Sequence, residues 1–150
     1  MTQQLTKVLL VGGEDQGNRL GWLADLTRDL GCDVEEVADG ASALLAIHRQ
    51  RPDLVIAKSD LEILSGYQLL VVLRGQSDYR RLPVILLTPK GTDAELSRGW
   101  TAGADLCVPM DQSREDILRT IARVLATTYR FNIPPAWLEE ALASGEGPAR

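Results

Sequence analysis

Residues that build metal centres and disulfide frameworks are scarce here: one histidine and two cysteines in 150 residues. Cys32 and Cys107 are too few and too far apart for a zinc site or a disulfide scaffold, so both are read as reduced thiols. His48 has no Cys, His or acid at ligand spacing and reads as a surface residue. An excess of base is missing too. Lys and Arg number 16 against 21 Asp and Glu, for a net charge of -5 and a pI near 4.9. That balance argues against a nucleic-acid partner, which needs a basic face; the densest basic group, Arg74 with Arg80 and Arg81, is offset by acids elsewhere. No apolar run reaches the roughly 20 residues of a membrane span, and MTQQLTK lacks the apolar core of a signal peptide. The expectation is a cytoplasmic protein with no membrane partner.

The glycines after the first apolar run do not make a nucleotide loop. Gly12 and Gly17 have the gap of a phosphate loop, but Asn18-Arg19 stands where Lys-Ser/Thr is required. Gly13, Gly17 and Gly21 miss the dinucleotide fingerprint, and Glu14 and Asp15 would oppose a pyrophosphate. Turn formation accounts for them better.

What is present is ordinary globular composition, 45% hydrophobic and 25% charged, in a length that fits one core. Apolar runs at Lys7–Val11, Leu54–Ala57, Pro83–Thr88 and Leu106–Val108 read as buried strands, and the more polar Asp33–Ala38 as a strand at or near an edge. Between them, helical spacing predicts helices over Asp15–Leu30, Ala41–Arg51, Gly66–Gln76 and Thr92–Ala102, with a last one from a Ser113 cap to about Thr127. Strand and helix alternate five times with short connections. Right-handed crossovers then give a three-layer α/β/α sandwich around a five-stranded parallel sheet. Loops at the carboxyl ends of four strands converge on one shallow crevice. Those ends carry Gly12-Gly13, Lys58, Thr88 and Pro109-Met110.

Together, PDLVI before Lys58, the nine-residue span from Lys58 to Gly66, PVILLT, and AGAD at Ala102–Asp105 are a specific set. The chain from about Lys7 to Thr127 resembles the receiver domain of two-component response regulators, a flavodoxin-like module phosphorylated on aspartate by a histidine kinase. The resemblance implies two acids after the first strand and an acceptor aspartate after the third, holding magnesium, a hard cation that prefers oxygen. It also implies a lysine after the fifth strand and a threonine or serine after the fourth. Here Gly12 and Gly13 take the places of the acid pair, Lys58 that of the acceptor and Met110 that of the lysine. Thr88 alone is kept. Cys107 falls at the usual aromatic switch position and Glu62 where a loop proline is common.

Lys58 admits three readings: a half-exposed lysine with a packed stem, a fixed salt bridge to Asp60 or Glu14, or a nucleophile. The last needs a depressed pKa, against which Glu14, Asp15 and Asp60 would all work. The expected function is therefore that of a pseudo-receiver: no enzyme, no metal or cofactor, acting by protein-protein contact in two-component signalling without an aspartyl phosphate. The alternatives are phosphorylation on a non-standard acid such as Asp60, or an anion-binding domain using Lys58 and Thr88. From the family, the contact surface is expected on the fourth helix, fifth strand and fifth helix, with Trp100 and Leu118. Residues 1–127 form the receiver-like domain, and 128–150 a C-terminal extension with a short helix over 135–144. The apolar side of that helix, including Trp137, needs cover from this domain, a following domain or a second copy of the chain, hence a candidate homodimer.

Overall fold

The computed structural model describes residues 7–12, 20–29 and 31–127. Strands β1 (Lys7–Val11), β2 (Asp33–Val37), β3 (Leu54–Lys58), β4 (Val84–Thr88) and β5 (Leu106–Pro109) form one sheet in the order β2-β1-β3-β4-β5. All four pairings are parallel. Helices α1 (Gly21–Asp29), α2 (Gly40–Arg49), α3 (Gly66–Arg74), α4 (Asp93–Ala102) and α5 (Arg114–Thr127) connect and cover it. The α/β sandwich and the edge position of β2 are as the sequence predicts.

Successive strand residues face opposite sides of a sheet, and the core divides accordingly. Leu9, Val11, Val55, Ala57, Val84 and Leu86 pack on one face with Ala43 and Ile47 of α2 and Leu70 and Leu73 of α3. Leu10, Leu54, Ile56, Ile85 and Leu87 pack on the other with Leu23 of α1 and Ile117 and Ile121 of α5. Because β3 is covered on both faces, its run of buried apolar residues shows no alternation.

Side-chain caps fix where the helices start. Asp39 accepts from the Ser42 amide at 2.7 Å, Thr92 from Glu95 at 3.2 Å and Ser113 from Asp116 at 3.1 Å; Ser65 and Gln68 form a reciprocal capping box. Some boundaries differ from the sequence reading. Within the described residues α1 begins at Gly21; Asp15–Arg19 lie outside them. Helix α2 stops at Arg49 instead of Arg51, because Pro52 disfavours helical geometry in the residue before it. Helix α3 stops at Arg74, Gly75 closes it, and a 3₁₀ turn over Ser77–Tyr79 follows that the sequence reading missed.

Two further residues gain partners that the sequence reading does not name. Arg74 is half-buried. Its guanidinium donates to the carbonyls of Gly103, Tyr79 and Leu82 at 3.0, 3.0 and 2.7 Å and to the Asp105 carboxylate at 2.9 Å. Asp105 also accepts from the Val84 amide at 2.8 Å, so the pair ties α3, β4 and the α4–β5 turn together. His48 is exposed as expected but has a partner, the Tyr79 hydroxyl 3.1 Å from Nδ1. Among the described residues no helix is long and apolar enough to cross a membrane.

Candidate functional site

Strand register brings the predicted site residues to one end of the sheet. Val11 pairs with Ala57, Lys58 with Leu87 and Thr88 with Pro109. Gly12, Lys58, Thr88 and Met110 thus follow or end four neighbouring strands. Gly13 and Glu14 lie outside the described residues, as does Trp137.

At the centre, the Lys58 stem packs over Gly12. A Cβ on Gly12 would lie 2.9 Å from Lys58 Cδ, 3.2 Å from its Cγ and 2.8 Å from Leu61 Cδ2. Gly12 also has φ +98°, a left-handed geometry that side chains resist, and its amide donates to the Val37 carbonyl at 2.8 Å. A side chain at position 12 would therefore meet both a strained backbone and an occupied space. Lys58 is half-buried, its stem is packed, and it has an interaction partner. Among the described residues no ion pair joins it to Asp60, which is exposed.

The loop after Lys58 is folded back tightly. The Ser59 amide donates to Leu87 at 2.9 Å and the Gly66 amide to Ser59 at 3.0 Å. A side chain on Gly66 would strike the Lys58 carbonyl and Leu86, which gives the Lys58-to-Gly66 spacing its physical reason. Within this loop Ile63 has φ +70° and is 77% exposed. A β-branched residue rarely adopts that geometry, and nothing in its sequence context signals it.

Thr88 is 0% exposed, and its hydroxyl donates to the Lys90 carbonyl at 2.9 Å. That proton is already engaged, so an anion at Lys58 would not find it without local rearrangement. Met110 donates its amide to Thr88 at 2.7 Å while its side chain packs on the α1/α5 side of the core.

Cys107 is buried, and burial pushes its thiol above the ordinary value of 9.0. Gly99 of α4 lies so close that any side chain there would overlap the Cys107 sulfur, and Leu86 as well. This pairing of a helix glycine with a small strand residue brings α4 against β5. Sequence reasoning missed Gly99, since an isolated glycine in a helical pattern carries no sign of what it packs against. Of the described residues expected on the contact surface, Trp100 is 50% exposed, whereas Leu118 packs against the core.

A magnesium site needs hard oxygen ligands. Gly12 offers no side chain, Lys58 a cation and Met110 a thioether, so these residues do not fit the ion. Among the described residues no three His, Cys, Asp or Glu side chains are grouped to hold a metal.

Comparison with known proteins agrees with this geometry of sheet and loops. The response regulator receiver domain profile matches residues 8–122. The probable transcriptional regulatory protein TcrX of Mycobacterium tuberculosis is 36% identical over 98 residues, 65% of this chain but 41% of TcrX, so less than half of that relative is spanned. Among solved structures, the chemotaxis response regulator CheY4 of Vibrio cholerae aligns with TM-score 0.71 and 28% identity, over 81% of this chain and 100% of that one. The receiver domain of sensor histidine kinase PA1611 from Pseudomonas aeruginosa, solved with magnesium in its active-site cleft, aligns with TM-score 0.69 and 28% identity, over 83% and 100% of the two chains. With the profile covering most of its length, this chain belongs to the response regulator receiver domain family.

Proposed function

We propose that the domain works as a pseudo-receiver, passing a signal by protein-protein contact without accepting a phosphoryl group and without catalysis of its own. The observation that supports this reading is the Lys58 stem lying over Gly12, where the family keeps an aspartate beside acids. An ammonium in that seat cannot form an acyl phosphate, and it repels a divalent cation. Each change removes the need for the others: a domain that binds no metal gains nothing from an acceptor.

The partner is a protein component of a two-component pathway, and the docking face is that of α4, β5 and α5, where Trp100 is exposed. Gly99 packs on Cys107, so position 107, where the family keeps its switch aromatic, has no aromatic side chain to swing between positions. Incubation of the full chain with magnesium and acetyl phosphate, read by intact mass, tests the proposal. The expected mass is that of the unmodified chain. A hydroxylamine-sensitive phosphoryl adduct would overturn it and move the acceptor role to another acid, Asp60 being the first to map.

A further inference from the structure

Among the described residues four large apolar side chains are exposed, and three of them belong to one layer of the fold. Leu45 of α2 is 70% exposed and Val71 of α3 is 61% exposed. Both helices cover the same face of the sheet, with Ala43, Ile47, Leu70 and Leu73 turned inward, so Leu45 and Val71 are turned outward. The third is Ile63. Its loop seats on the start of α2, where a Cβ on Gly40 would lie 2.1 Å from the Leu64 carbonyl oxygen. Exposed apolar residues scattered singly need no explanation, whereas a gathered set marks an interaction surface.

Charge on this layer is equally one-sided. Neither α2 nor α3 contains an aspartate or glutamate, in a chain with 21 acids against 16 bases. Where the two helices end, Arg51, Arg80 and Arg81 are exposed and make no ion pair among the described residues. The Tyr79 hydroxyl, 3.1 Å from His48 Nδ1, holds the turn before Arg80 against the end of α2 that leads to Arg51. These cations lie in connections and not in a last helical turn, so the helix dipole does not account for them. Asp53 and Asp78 are the acids among them, and Asp53 already accepts the Lys7 amide at 2.8 Å. The face is apolar and free of acids, with a rim in which arginine is in excess.

The chain itself carries a stretch of matching chemistry. Residues 135–144, outside the described residues, hold Trp137, Leu138, Ala141 and Leu142 at helical spacing, with Glu139 and Glu140 between them and no base. A stretch this short needs a surface to bury its apolar side. The α2–α3 face of its own domain lies at the limit of its reach. Helix α5 ends at Thr127 and packs on the α1 side of the sheet, whereas α2 and α3 are on the other. Seven residues, 128–134, span at most about 25 Å, which two helical layers of about 10 Å each nearly use up before the edge of the sheet is turned. A neighbouring copy imposes no such path.

We propose that the α2–α3 face is the docking surface for residues 135–144 of a second copy of the chain, exchanged reciprocally in a two-fold dimer. Trp137 and Leu138 cover Leu45 and Val71, and Glu139 and Glu140 face the rim of Arg51, Arg80 and Arg81. The exchange uses α2 and α3 and leaves α4, β5 and α5 free, so it stands independently of the proposed function.

Sedimentation equilibrium of the full chain over a broad concentration range tests the exchange. The expected result is a monomer–dimer equilibrium with no larger species, weakened by added salt. Leu45→Glu, Val71→Glu and Trp137→Ala should each raise the dimer dissociation constant about tenfold or more, whereas Trp100→Ala on α4 should leave it unchanged. Leu45 and Val71 stand outside the core, so an unchanged circular dichroism spectrum separates lost association from lost fold. Nitrogen-proton correlation NMR should show Trp137→Ala moving the amides of α2 and α3. A chain that stays monomeric at every concentration would overturn the exchange; if Trp137→Ala still moved those amides, the stretch would pack on its own domain. A dimer indifferent to Leu45→Glu and Val71→Glu would use another surface and overturn it equally.

Discussion

The aliphatic stem of Lys58 occupies the space that a side chain on Gly12 would need, with Cδ 2.9 Å from where a Cβ would stand. The two residues are complementary: the glycine gives way, and the lysine lays its methylenes over it instead of leaving them in water. Position 12 is thereby closed to an acid for a steric reason as well as by its identity.

That complementarity predicts an energetic coupling. Gly12→Ala alone should cost about 2–3 kcal/mol, part from positive φ, roughly 1–2 kcal/mol, and part from overlap. In a Lys58→Ala background the overlap with the stem disappears, and the cost should fall by about 1 kcal/mol. Urea unfolding of the parent and the three variants measures this; strictly additive effects would show that the stem yields freely.

Arg74 should be a stability determinant despite its place among surface-looking arginines. Arg74→Met keeps the stem but strips the carbonyls of Tyr79, Leu82 and Gly103 and the Asp105 carboxylate of their donor. The expected loss is about 2–3 kcal/mol, or a Tm lower by very roughly 4–12 °C for a chain of this size. A thermal melt within a degree of the parent would contradict it.

Ile63 holds a left-handed backbone geometry in a loop where its side chain is exposed, so its replacement sacrifices little packing. Asparagine adopts that geometry more readily. Ile63→Asn should stabilise the domain by about 1 kcal/mol, visible as a higher urea midpoint at unchanged m-value.

Cys107 should make stability pH-dependent at the alkaline end. Its thiol is raised above 9.0 by burial, so it stays protonated in the fold at a pH where the unfolded chain has begun to ionise. The resulting stabilisation is fully present below the unfolded value and is lost as pH rises through the folded one. Stability measured from pH 7 to above pH 9 should fall more steeply in the parent than in Cys107→Ala. The thiol should also resist iodoacetamide until the protein is unfolded.

The alternation of strands and helices was legible because each apolar run repeats a period that only one element can bury. The caps at Asp39, Thr92 and Ser113 stand where local hydrogen bonding puts them. The role of Arg74 was not legible because its partners come from distant segments: Asp105 is thirty-one residues away in sequence, and a charge gives no sign of whether it faces water or a carbonyl. Ile63 was invisible for a related reason, since its strain is imposed by closing the Ser59–Gly66 loop and not chosen by the isoleucine.

By itself the sequence determined the fold and which side chains stand at the carboxyl ends of the strands, because both follow from side-chain identity and spacing along the chain. Tertiary structure alone decided that Lys58 lies over Gly12, that Gly99 admits Cys107, and that Arg74 reaches Asp105. Those relations depend on which strands neighbour one another and on which side each residue falls, and they become fixed only when the chain closes on itself.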